Sequence, residues 1–142
     1  MAAAPAPQVW PSLHARDARA LIRFLVDAFG FEEVVVHGQD AFVAHAELAW
    51  PEGGGVMLGS LRPPAAGAAG PEFRATVPGT FSAYVVTADP DAVHDRAVAG
   101  GAVITTGLSE TDYGSRTFAA RDPEGNHWFF GTYPGAPRPE AG

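Results

Sequence analysis

Apolar positions along this chain recur with two periods, and the periods alternate in a fixed order. Residues 9–14 alternate like a strand. Asp17 then precedes Leu21, Phe24, Leu25, Ala28 and Phe29, which fall at helical spacing and stop at Gly30. Strand-like runs follow at 31–36, 41–50 and 56–59. The same grammar then returns. Residues 81–87 read as a strand, Asp89 as a cap, Pro90 as a first helical residue and Gly100-Gly101 as a stop, with strands at 102–105, 115–121 and 127–132. Asp17 and Asp89 stand 72 positions apart, as do the turns Pro51-Glu52-Gly53 and Pro123-Glu124-Gly125 that precede the last strand of each half. The pattern therefore predicts an α+β fold of two βαβββ modules, residues 8–60 and 81–133, within one domain. Residues 61–80, with four prolines among Ala and Gly, read as a linker, and 134–142 as a loose tail.

Composition narrows the function classes. The 142 residues are 46% hydrophobic and 18% charged, values of a globular chain. Nine Lys and Arg against 16 Asp and Glu give a net charge of -7, which repels phosphate backbones and anionic lipid, so neither nucleic acid nor a membrane surface is an expected partner. Without cysteine there is no disulfide framework, thiolate nucleophile or Cys-based metal site. No stretch approaches the roughly 18 apolar residues of a membrane helix, and residues 1–7 lack the basic start and apolar run of an export signal. A cytoplasmic location is expected.

The most specific segment runs Asp112-Tyr113-Gly114-Ser115-Arg116-Thr117-Phe118-Ala119-Ala120-Arg121-Asp122-Pro123-Glu124-Gly125-Asn126. It resembles the second-module signature of the vicinal-oxygen-chelate superfamily, which includes glyoxalases, bleomycin resistance proteins and extradiol dioxygenases. The resemblance covers roughly residues 10–133 and implies a cup-shaped, mostly antiparallel sheet with helices on its outer face. It also implies a homodimer that covers open sheet edges. Arg116 and Asp122 are read as stabilising the strand and turn, and Tyr113 as a cover at the cup mouth.

In the enzymes of that superfamily, the first and last strands of each module present His, Gln or Glu to a divalent metal. Carried onto this chain, those positions fall on Trp10, Met57, Phe129 and either Phe81 or Ser82, which the sequence does not separate because a one-residue slip flips the face. Indole and phenyl rings offer no donor pair, and a thioether is a poor ligand for hard ions. The expectation is thus no metal, no cofactor, and no Lewis-acid chemistry of the family's usual kind.

Strand alternation instead gives the concave face Trp10, Ser12 and His14 from the first strand, and His127, Phe129 and Gly131 from the last. Val43, His45 and Glu47 join them unless a bulge reverses the strand. Trp10, Met57 and Phe129 then form either the aromatic floor of a pocket or the filling of a collapsed core. With Ser12, His14, His45, Glu47, Tyr113 and His127 as its polar surround, the first reading implies binding of a small planar or aromatic molecule, as in antibiotic sequestration. The alternative is a glyoxalase-like lyase or isomerase, or a dioxygenase, using a relocated His14, His45 and Glu47 site, with His14 and Glu47 as the catalytic candidates. His37 and His94 are read as surface residues.

Overall fold

A computed structural model describes residues 7–61 and 77–137. Most of the linker and the end of the tail lie outside the described residues. Within them the chain forms two copies of one topology. The first module is β1 (Ser12–Ala15), α1 (Ala18–Phe24) continued by a π-helical segment (Leu25–Phe29), β2 (Glu32–Gln39), β3 (Phe42–Ala49) and β4 (Gly55–Ser60). The second is β5 (Ser82–Val86), α2 (Pro90–Ala99), β6 (Val103–Glu110), β7 (Arg116–Arg121) and β8 (His127–Gly131). Strand order is β1-β4-β3-β2 in one sheet and β5-β8-β7-β6 in the other, and each sheet carries one parallel pair, β1 with β4 and β5 with β8.

Local chemistry explains the boundaries. Asp17 and Asp89 each accept a hydrogen bond from the backbone N–H three residues on, at 3.1 Å, and so start the two helices. Gly30 takes a left-handed conformation that stops the first helix. The final turn of that helix widens into a π segment, with Gly30 and Phe31 both donating to the Leu25 carbonyl at 3.1 Å. Leu25, Ala28 and Phe29 are thereby all buried.

The two sheets and both helices share one core. Phe29 meets Trp128 and Phe130 edge-on at centroid distances of 5.7 and 4.9 Å, Phe31 meets Trp128 at 5.5 Å, and Phe118 stacks on Phe130 at 4.9 Å. The helices touch where Gly100 faces Ala28, because a Cβ on Gly100 would come within 2.4 Å of the Ala28 Cβ. Arg96 then reaches the carbonyls of Asp27 and Val26 at 2.9 and 3.1 Å. His94 is half-buried edge-on against Phe118 at 5.2 Å, a correction to its reading as a surface residue. With the inner faces committed to one another, the sheets stay open and do not curl into a cup within the chain.

The repeated Pro-Glu-Gly turns have a reciprocal use. The Glu124 carboxylate, in the second module, accepts the N–H groups of Arg16 and Asp17 in the first at 2.8 and 2.9 Å. Its counterpart Glu52, in the first module, accepts the N–H of Ala88 in the second at 3.2 Å. Each turn thus ties down the strand-to-helix junction of the other module. Beneath the second turn, Asp122 accepts from Trp128 Nε1 at 2.8 Å, Asn126 Nδ2 at 3.0 Å and the Glu124 N–H at 2.9 Å, so the Asp-Pro-x-Gly-Asn signature is architectural.

The Glu124 side chain is only 8% exposed and satisfies two backbone donors, whereas Glu52 is exposed and satisfies one. Glu124→Ala is therefore expected to lower stability by about 1–3 kcal/mol, and Glu52→Ala by less. Urea midpoints of the two variants check the order, and equal midpoints would contradict the clamp.

Candidate functional site

Each sheet has one face in the shared core and one open face, and the register says which residues share it. In the first sheet Met57 stands between Ser12 on β1 and Glu47 on β3, with His14 opposite Gly59 one row along. Trp10 precedes β1, donates its indole N–H to the Pro7 carbonyl at 3.2 Å, and lays its ring over Gly55, on the same face as Met57. Trp10, Ser12, His14 and Met57 therefore share the open face, as the alternation predicts.

The third strand departs from it. His37 pairs with His45 but Gly38 pairs with Val43, so Ala44 is the extra residue of a bulge. Val43 consequently turns into the core, fully buried, which corrects its place on the concave face, while His45 and Glu47 stay on the open side. His45 Nε2 and Glu47 Oε2 lie 2.8 Å apart and form a pair. His14 does not complete a triad with them: among the described residues no three His, Asp or Glu side chains gather closely enough to hold a metal ion. The relocated ligand set is thus not assembled within the chain.

The open face of the second sheet is aromatic. Phe129 on β8 stands beside Tyr84 on β5 and Ala119 on β7. Phe129 is 45% exposed and Tyr84 46%. His127, two residues before Phe129 on the same face, stacks on it at 6.3 Å. Ser82 pairs with His127 and shares this face, whereas Phe81 packs on Trp128 at 5.4 Å on the core side, which resolves the choice between them. Tyr113 and Tyr133 meet edge-on at 5.9 Å at the end of the face, and the Tyr84 hydroxyl donates to the Tyr133 carbonyl at 2.8 Å. Gly131 makes room for that phenol, since a Cβ there would lie 2.7 Å from the hydroxyl oxygen. Sequence reasoning passed over Tyr84 and Tyr133. Tyr84 was within reach of it, standing 72 positions after Ser12 and two after Ser82.

The sequence-derived site residues thus fall into two sets, Trp10, Ser12, His14, His45, Glu47 and Met57 on one sheet and Tyr113, His127 and Phe129 at the other. No strand of one sheet pairs with a strand of the other. Crevices of about 350, 290 and 250 Å³ open at the surface, and neither Met57 nor Phe129 lines any of the three. The donors that the family's metal requires do not fit here. Of the four carried-over positions, Trp10 and Phe129 offer rings without a donor pair, Met57 a thioether and Ser82 a lone hydroxyl. No helix among the described residues is long and apolar enough to cross a membrane.

Comparison with known proteins agrees with this geometry. The sequence model of the Glyoxalase/Bleomycin resistance protein/Dioxygenase superfamily matches residues 9–130. An uncharacterized protein of Mycobacterium bovis is 34% identical over 128 residues, which cover 88% of this chain and 82% of that one. Among solved structures, TioX from Micromonospora sp. ML1 superposes with a TM-score of 0.70 at 27% identity, covering 89% of this chain and 98% of its own. TnmS3, an antibiotic binding protein from Streptomyces sp. CB03234, has a TM-score of 0.64 at 21% identity, covering 92% and 96%, a likeness of fold.

Burial raises the Tyr84 phenol above its ordinary value of 10.0, and a hydrogen bond with the Ser115 side chain partly offsets this. A raised folded-state value favours the protonated phenol, so this stabilising contribution is present below the ordinary value and lost as pH rises through the folded one. An absorbance titration is expected to show one of the three tyrosines ionising late, and Tyr84→Phe to remove that component. Loss of an early-ionising component instead would contradict the assignment.

Proposed function

This chain belongs to the glyoxalase/bleomycin resistance protein/dioxygenase superfamily, and from that membership we propose that it binds a small planar or aromatic organic molecule without a metal ion. The observation that carries the proposal is the pair of half-exposed rings, Tyr84 and Phe129, side by side on neighbouring strands where the fold holds them to the solvent. Contiguous apolar surface of this kind is costly to hydrate, by roughly 25 cal/mol per Å², and it marks binding sites more often than idle surface. A flat ligand stacked on Phe129 removes that area from water, with His127 and the tyrosine hydroxyls of the same sheet end to orient it. The fold likeness to an antibiotic binding protein supports the same class of ligand.

One open face holds a ligand from one side only. We further propose a homodimer in which a second copy lays its first sheet, carrying Trp10 and Met57, across the second sheet of its partner. That arrangement brings Trp10, Met57 and Phe129 to one space and gives the sheet faces the cover they lack within the chain. The setting is the cytoplasm, as the sequence leads one to expect. A catalytic reading keeps one observation in its favour, the His45–Glu47 pair at 2.8 Å, which has the form of an oriented base, with His14 on the same face.

Phe129→Ala is expected to raise the dissociation constant for a bound aromatic compound about tenfold or more. It is expected to leave the urea midpoint nearly unchanged, because the ring is already half in water. Trp10→Ala weakens the same ligand when the cup forms between two copies. Unchanged affinity in Phe129→Ala, or a monomer by light scattering at micromolar concentration, would contradict the proposal.

A further inference from the structure

A second cavity, away from the open-face centre, has its own chemistry. The crevice of about 290 Å³ sits where the modules meet, between the segment before β1, the turn that carries Glu52, and strand β5. Phe31, Trp50 and Trp128 form its wall, and Tyr84 and Val86 lie at its side. Trp50 is locked in place, because its indole N–H donates to the Val86 carbonyl at 2.9 Å and its ring packs on Phe31 at 5.0 Å. The opposite wall is Gly53-Gly54-Gly55, and at Gly53 and Gly54 a side chain would meet nothing within 4 Å. The glycine run thus leaves space next to the Trp50 indole, which keeps 9% of its surface exposed, while Trp128 lies fully buried behind it.

Among the described residues the only charged side chain lining this crevice is the Glu52 carboxylate; Tyr84 runs along it on β5, but its phenol turns to the open face. One of its oxygens, Oε1, holds the Ala88 N–H. Among the described residues the other meets no hydrogen-bond donor, and none of the Lys, Arg or His side chains lines the cavity. The exposed part of Trp50 beside one carboxylate, with no cation among the described lining residues, favours a positively charged ligand, held by an ion pair and a cation–π contact with Trp50. An anion would meet both the carboxylate and a chain of net charge -7.

We propose that this inter-module crevice is a binding site for a small aromatic amine in its ammonium form, separate from the open-face site proposed above. Its volume suits one or two fused rings.

The test titrates 1-naphthylmethylamine, and separately 1-naphthaleneacetate, into ¹⁵N-labelled full-length protein. The three tryptophans give three indole N–H signals, of which Trp50 reports the crevice. The amine is expected to shift the Trp50 indole and the Gly53–Gly55 amides saturably at concentrations up to about 10 mM, while the acetate does not. Glu52→Gln keeps an acceptor for Ala88 and should weaken the amine about tenfold. Equal binding of both probes, no shift at Trp50, shifts confined to the Phe129 face, or unchanged affinity in a folded Glu52→Gln protein would each overturn the proposal.

Discussion

The aromatic seam of Phe29, Phe31, Trp128 and Phe130 is the contact on which the rest of this molecule depends. It draws residues from the end of the first helix, the start of β2 and the last strand of the second module, so it forms only when both modules are in place. Around it the inner face of each sheet is buried in the same core, and the outer faces are left to water. The π-helical widening before Gly30 turns Phe29 inward, the bare Gly100 lets the helices approach, and the Glu124 and Glu52 carboxylates fix the junctions around it. These are polar and steric conditions on one apolar contact, and each acts at the point where the repeat meets its own copy.

From that constraint follows the chemistry of the open faces. A family scaffold that presents donors to a metal at four strand positions here presents Trp10 and Met57 on one sheet and Ser82 and Phe129 on the other. Thioether and aromatic groups stack and desolvate, and none of them offers a hard ion a good donor. The His45–Glu47 pair is the exception, and it stands on the sheet opposite to the one that carries Tyr84 and Phe129. Membership in the superfamily fixes the scaffold, and the proposed metal-free recognition rests on these side chains.

Much of this was legible in the chain. The 72-residue echo of Asp17 in Asp89 and of one Pro-Glu-Gly turn in the other gives both modules, and both aspartates do cap helices. That each glutamate serves the opposite module was not legible, because the echo does not say how the copies face each other. Val43 was misplaced for a related reason: one extra residue at Ala44 reverses every side chain before it, and nothing in an Ala-His-Ala run announces a bulge. Phe81 and Ser82 were inseparable until the register with His127 was known. The cup failed within one chain because curling is a property of how sheets pair, and the apolar pattern is the same whether an open face meets its own chain or another.

The central claim is that this chain holds an aromatic molecule without a metal. The most direct measurement is a calorimetric titration of chelator-stripped protein with neutral anthraquinones, repeated after adding Zn²⁺ or Mn²⁺, with elemental analysis of the protein as purified. The account predicts saturable binding of equal affinity with and without the ions, and no stoichiometric metal at the start. Binding that appears only once a metal is restored, or about one transition metal retained per chain, would contradict it.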